Sequence, residues 1–239
     1  MPDRKLQMKR KREPGRARKA ILFELENLAV DGHRLAHEAL KSVFKAKGVE
    51  LPPAVFSRFC VGHQPKYLVT NVLRWAGKER LSGEKLAEDV HAALKATFSA
   101  SGLKLEGPLK RLLEAAAARN VLLGALSGLD RTVSDRLTTV LGLKEMGVQV
   151  FSHPCEEKAP IGVDGWLKLA RTLGVDPTRC VVLATTARST KAALAARMRC
   201  VAIPCAFTGF EDLGGADYVV DSIGAIRIEA LLALLEPTW

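Results

Sequence analysis

Two carboxylates stand two residues apart in Ala20-Ile21-Leu22-Phe23-Glu24-Leu25-Glu26-Asn27-Leu28, directly after a short apolar run. Residues i and i+2 of an extended chain point to one side, so Glu24 and Glu26 are expected to face one crevice. Ser127-Gly128 follows a second apolar run, and Ala184-Thr185-Thr186 follows a third. Lys158 stands in Glu156-Glu157-Lys158-Ala159-Pro160. A carboxylate pair, a hydroxyl and a lysine gathered in one place suit phosphoryl chemistry. The lysine and hydroxyl hold phosphate oxygens, and a carboxylate can attack as nucleophile.

For these residues to meet, each must sit at the end of a strand. Residues 20–24 form an apolar run too short for a helix and right for a buried strand. Strands are also expected at 121–126, 148–151, 180–184, 200–203 and 218–220. Helices are expected at 131–141, 163–173, 189–197 and 223–235. Between the first two strands the pattern is helical: 33–47 places Leu35, Ala39, Leu40, Val43 and Phe44 at helical spacing, and 52–100 continues it, most clearly over 66–76 and 83–100. Alternating strands and helices with continuously apolar strands imply an α/β fold: a Rossmann-like parallel sheet with helices on both faces. An inserted helical cap domain would follow the first strand. The expected division is a disordered basic arm at 1–19, an α/β core at 20–32 and 103–239, and the cap at 33–102. In such sheets ligands lie at the carboxyl ends of the strands, where the residues above fall.

The chain has 239 residues, 48% of them apolar and 26% charged, enough to bury a core. No apolar run approaches the roughly 18 residues a membrane span needs, so a soluble, cytoplasmic protein with no membrane partner is expected. The net charge is +10, but residues 1–19 hold nine basic and two acidic side chains, a surplus of seven. The basicity therefore belongs mainly to a separable arm. Residues 4–19 fit salt-dependent attachment to nucleic acid or ribosome, a nuclear or organellar address, or a solubilising tail; no aromatics interleave them for base stacking. Five cysteines without a C-x-x-C read as buried apolar groups in a reducing compartment, and as neither a disulfide framework nor a zinc site.

At the strand ends the chain resembles the haloacid dehalogenase superfamily, in the branch of β-phosphoglucomutase-like and phosphoglycolate-phosphatase-like enzymes with a helical cap. Residues 21–31 (ILFELENLAVD) are similar to the family's first motif, hhhDxDGTLhD. Ser127 stands at the second motif and Lys158 at the third. Residues 180–203 (CVVLATTARSTKAALAARMRCVAI) follow the fourth, and 210–222 (FEDLGGADYVVDS) also looks like this branch. The resemblance covers about residues 20–235.

The resemblance implies a nucleophile at Glu24, a general acid/base at Glu26, phosphate binding by Ser127, Gly128 and Lys158, and a Mg2+ site at Glu24, Glu26 and Thr185. His63, in Val61-Gly62-His63-Gln64-Pro65, falls in the cap's substrate-specificity loop. The chain departs from the pattern at each chemical position. Both aspartates are glutamates, Gly-Thr is Asn27-Leu28, and the fourth motif's acidic pair is Ala184-Thr185. Glu for Asp lengthens the reach by about 1 Å, a displacement that can cost about 100-fold in rate. Magnesium prefers octahedral oxygen ligands including carboxylates. The expectation is thus a pseudoenzyme: a phosphatase-like protein that binds a small phosphorylated molecule, another anion or a partner, with no cofactor. The alternative is a divergent phosphatase acting on a small phosphomonoester through Glu24, with Mg2+.

Other residues carry blander expectations. His33 and His37, four apart, read as solvated or packing groups rather than a metal pair. Asp130 either replaces a lost acid or caps the helix after it. His153 and Cys155 do not make a convincing nucleophile pair across Pro154. Trp75 and Trp166 read as packing residues.

Overall fold

The computed structural model describes residues 18–152 and 161–236. Six parallel strands form one sheet: β1 (Ala20–Glu24), β2 (Leu122–Ser127), β3 (Val148–Ser152), β4 (Cys180–Ala184), β5 (Arg199–Ala202) and β6 (Tyr218–Val219), in the order β3-β2-β1-β4-β5-β6. The α/β fold with a parallel sheet is as the sequence pattern implies.

Side chains alternate across the sheet and separate two apolar layers. Ile21, Phe23, Leu123, Ala125, Val181, Leu183 and Val201 face one layer. Helices α6 (Gly107–Ala117), α7 (Arg131–Val140) and α10 (Ile228–Leu234) cover it. Ala20, Leu22, Val182, Ala184 and Cys200 face the other, covered by α8 (Val163–Leu173) and α9 (Ala187–Ala195). Every residue of β1 is buried, which is why its run is continuously apolar until Glu24.

Between β1 and α6 the chain is helical. A four-residue turn, α1 (Leu25–Leu28), leads to α2 (Gly32–Lys45), α3 (Pro53–Phe59), α4 (Pro65–Trp75) and α5 (Gly83–Phe98). A third apolar cluster belongs to this segment, built on Leu40, Phe44, Leu51, Phe56, Leu68, Val72 and Val90. His37 is buried there, with Nε2 3.0 Å from the Leu51 carbonyl and its ring against Phe56 and Phe207.

Several boundaries differ from the sequence reading. Helix α6 was not anticipated, although Leu109, Leu112, Leu113 and Ala116 bury one face of it. The closing helix expected at 223–235 is split into a 3-10 turn, Ile223–Ala225, and α10. Ile226 and Arg227 are extended between them, at φ −86°, ψ 124° and φ −89°, ψ 134°. Trp166 is fully buried as expected, but Trp75 is half exposed. Cys60, Cys180 and Cys200 are buried free thiols; burial pushes each up to about 12. Residues 1–17 of the arm, His153, Cys155 and Lys158 lie outside the described residues.

Candidate functional site

The strand order reverses direction at β1, which has β2 on one side and β4 on the other. Ligand crevices of open α/β sheets form at such a point. Here the ends of β1, β2 and β4 bring together Glu24, Glu26, Ser127, Gly128 and Thr185. The sequence reading brought these five residues to one place, but it did not anticipate how they are used.

Glu24 ends β1 and is 1% exposed. One of its oxygens accepts the Thr185 backbone N–H at 2.8 Å. The other accepts the Thr185 hydroxyl at 2.6 Å and the Asn27 amide at 2.8 Å. The hydroxyl has one proton, and Glu24 takes it. His33 Nε2, 3.2 Å from the same Thr185 oxygen, must therefore donate. That fixes His33 as the Nε2–H tautomer. Burial drives its pKa down against the attraction of Glu24, so the ring stays neutral. His33 is thus neither solvated nor a bystander. Its position on α2, 152 residues before Thr185, gave no local signal of the contact.

Glu26 turns to the opposite side. By Leu25 the chain has entered α1, so the two-residue alternation of a strand no longer applies and the carboxylates diverge. Glu26 accepts the Ser127 hydroxyl at 3.0 Å and the Gly128 N–H at 2.8 Å. Ser127 Oγ in turn accepts Leu129 N–H at 3.1 Å and the Ser134 hydroxyl at 2.8 Å. Burial pushes the Glu26 carboxyl up to about 7, against hydrogen bonds from Gly128 and Ser127 that favour its charged form; the charge of Glu24 raises it further.

A third carboxylate repeats the arrangement. Glu211 accepts the Ala187 N–H at the first turn of α9 at 2.5 Å. Asp130 caps α7 by accepting Val133 N–H at 2.9 Å, the role expected of an aspartate there, and lies 3.9 Å from His91 on α5.

Magnesium would be expected between Glu24, Glu26 and Thr185. The donor set does not fit it. Glu24 has one oxygen with two donors and the other with one, Thr185 offers an uncharged hydroxyl whose proton points to Glu24, and Glu26 is bonded to the end of β2. No cluster of three or more His, Cys, Asp or Glu suited to a metal occurs among the described residues.

A cavity of about 360 Å³ opens above this floor, lined by Glu24, Glu26, His33, Gly128 and Asp130 from below. Residues of the helical segment line the rest, among them Leu40, Phe56, His63, Leu68, Leu94 and Lys95. His63 lines the cavity from the loop before α4. Burial and the nearby Arg188 charge lower its pKa. Arg188, on the first turn of α9, also lines the cavity; the sequence reading passed over it.

A parallel sheet with a helical segment after its first strand and an acidic first-strand crevice defines a haloacid dehalogenase-like fold. None of the established protein-family models matches the sequence. The chain is 26% identical over 225 residues to YhcW of Bacillus subtilis, named as a candidate phosphatase, covering 90% of this chain and 96% of that protein. It superposes on β-phosphoglucomutase from Clostridium difficile with a TM-score of 0.73 at 17% identity, covering 91% and 97% of the two chains. CbbY from Rhodobacter sphaeroides, solved in complex with phosphate, gives a TM-score of 0.70 at 21% identity over 87% and 95%. In sequence the chain is similar to these relatives, and its fold is that of haloacid dehalogenase-like proteins such as β-phosphoglucomutase and CbbY.

Proposed function

We propose that the crevice binds a small phosphorylated molecule and does not hydrolyse it at the rate of a working phosphatase. One observation carries the non-hydrolytic half of this reading: the donors that would hold a transferring phosphate, Ser127 Oγ and Gly128 N–H, are bonded to the chain's own Glu26. An attacking carboxylate also needs a lone pair aimed at phosphorus, and the three hydrogen bonds that Glu24 accepts leave one of its roughly four lone pairs for that. Phosphoryl transfer depends on positioning and charge neutralisation, and this floor spends its polar groups on itself. On this reading residues 33–102 act as a cap over residues 20–32 and 103–239.

The comparisons favour a second reading, a divergent phosphatase acting through Glu24, because a relative named as a candidate phosphatase spans nearly the whole chain. On that reading Glu24 is the nucleophile and Glu26 the acid/base, and both must leave the partners described above.

The experiment is hydrolysis of 4-nitrophenyl phosphate with Mg2+ by the native chain and by Glu24→Asp/Glu26→Asp/Thr185→Asp. The first reading expects no native turnover above the blank and a gain of about 100-fold or more in the triple variant, from restoring the roughly 1 Å of reach. Native turnover that disappears in Glu24→Gln establishes the second reading instead.

Two further parts of the proposal rest on composition. The nine cations of the arm support attachment of residues 4–19 to a polyanion such as ribosomal nucleic acid. No helix among the described residues is long and apolar enough to cross a membrane, and the buried free thiols agree with a reducing, cytoplasmic setting.

A further inference from the structure

The cavity above the floor has a chemistry of its own. Leu40, Phe56, Leu68, Leu94, Phe98 and Leu129 line it. Its volume of about 360 Å³ falls in the roughly 300–1,000 Å³ range of small-molecule sites. A sugar placed there would surrender water from each hydroxyl and find few partners, because the floor's donors are already bonded. Unpaired polar groups are costly to bury, and apolar groups are favoured in the same place.

The cavity also holds cations. Arg188 and Lys95 both line it, both are exposed, and neither has an ion-pair partner among the described residues. Arg188 stands beside the loop that carries His63: a Cβ built at Gly62 would come 4.0 Å from its Nε. Gly62 has φ +69°, a left-handed backbone that favours glycine, so the turn bringing His63 beside Arg188 is specified in the sequence. His63, held neutral by burial and by Arg188, adds a hydrogen-bonding ring to this end of the cavity without a second full charge.

We propose that the ligand of this crevice is a phosphate monoester with an apolar body, its phosphate held by Arg188 and Lys95 and its body among Leu40, Phe56, Leu68, Leu94, Phe98 and Leu129. The inference rests on the reading that the crevice binds a phosphorylated molecule. It moves the anion away from Ser127 and Gly128, which Glu26 occupies, and it names the class of molecule. The floor's carboxylates then repel the phosphate toward Arg188.

The test is calorimetric titration of the native chain with butyl phosphate, octyl phosphate, glucose 6-phosphate and inorganic phosphate. Binding of octyl phosphate at one site per chain is expected, tighter than butyl phosphate by roughly fourfold for each additional methylene that is buried. Glucose 6-phosphate is expected to bind more weakly than octyl phosphate. Arg188→Ala, at an exposed position, should weaken octyl phosphate by roughly tenfold, and Arg188→Lys should recover part of the loss. Glucose 6-phosphate binding as tightly as octyl phosphate, with Arg188→Ala without effect, overturns the apolar class and leaves the phosphate reading standing. Octyl phosphate binding at several sites per chain with no dependence on Arg188 also overturns it. Failure of all four ligands to bind overturns both readings.

Discussion

In the floor of the crevice two carboxylates each hold a backbone N–H of the chain itself, Glu24 that of Thr185 and Glu26 that of Gly128, and at the start of α9 Glu211 holds that of Ala187. In the walls Lys95 and Arg188 line the cavity among leucines and phenylalanines with no ion-pair partner among the described residues. Backbone N–H groups at strand ends and helix starts are ready-made anion sites. The floor has such groups and fills them internally; the walls carry charge and leave it open. A satisfied polar network is rigid and contributes to stability, whereas an anion from solution must compete with it. On the proposed reading, the floor's own side chains take the place a bound anion would have.

The most direct way to break this comparison is through Glu26. Its carboxyl is raised from 4.5 to about 7 in the folded chain. A group whose pKa is raised by folding stabilises the protein below its unfolded value, and that contribution is lost as pH rises through the folded one. The window is therefore about pH 4.5 to 7, and the shift corresponds to about 3 kcal/mol on an order-of-magnitude scale. Glu26→Gln mimics the protonated acid and does not titrate. Urea unfolding of both proteins from pH 4 to 8 should show the native chain losing about 3 kcal/mol relative to the variant. Parallel stability curves would mean that Glu26 is not held in a dry, mutually bonded floor. The contrast with the walls would then fall.

The two regions were unequally legible in the sequence. The floor's residue set was readable because strands announce themselves: apolar runs of four to six residues end at Glu24, Ser127 and Thr185, and strand ends are where a parallel sheet puts its chemistry. Their pairing was not readable. Glu26 meets Ser127 and Gly128 across 101 and 102 residues, and His33 meets Thr185 across 152; periodicity reports on near neighbours only. The alternation rule also failed locally, since it requires an extended chain and α1 begins at Leu25. The walls were less legible still. Arg188 sits in an otherwise ordinary helix start, and nothing in Ala187-Arg188-Ser189 says that the first turn of α9 faces the His63 loop. The break before α10 depends on two extended residues, Ile226 and Arg227, in a stretch whose apolar spacing is continuous.

Gly32 joins the two regions and offers the next largest effect. It is the first residue of α2, and a Cβ there would lie 2.2 Å from the carbonyl oxygen of Glu26. The clash is with backbone, which cannot rotate away as a side-chain end can. Gly32→Ala should cost about 2 kcal/mol, in the range of overpacking substitutions. It should also shift α2 away from α1 and draw His33 from Thr185. The imidazole pKa, lowered by burial in the native chain, should then move back up toward its ordinary value, which proton NMR titration reads directly. A stability loss with the His33 titration unchanged would show that α2 can move without disturbing the floor.

Asp130 tests the seam where floor and wall meet, with the smallest effect. Its carboxylate caps α7 through Val133 N–H and faces His91 on α5 at 3.9 Å. The two roles separate by substitution. Asp130→Asn keeps an oxygen for the cap and removes the charge; Asp130→Ala removes both. Loss of the cap should cost about 1 kcal/mol. The partly exposed pair with His91 contributes at most about 0.5 kcal/mol, and only while the imidazole is protonated. Unfolding at pH 8 should therefore place Asp130→Asn level with the native chain and Asp130→Ala about 1 kcal/mol below it. If Asp130→Asn falls as far as Asp130→Ala at pH 8, the charge rather than the cap stabilises the seam. The partner would then have to be a permanent cation in the wall, which makes the walls less open than Lys95 and Arg188 suggest.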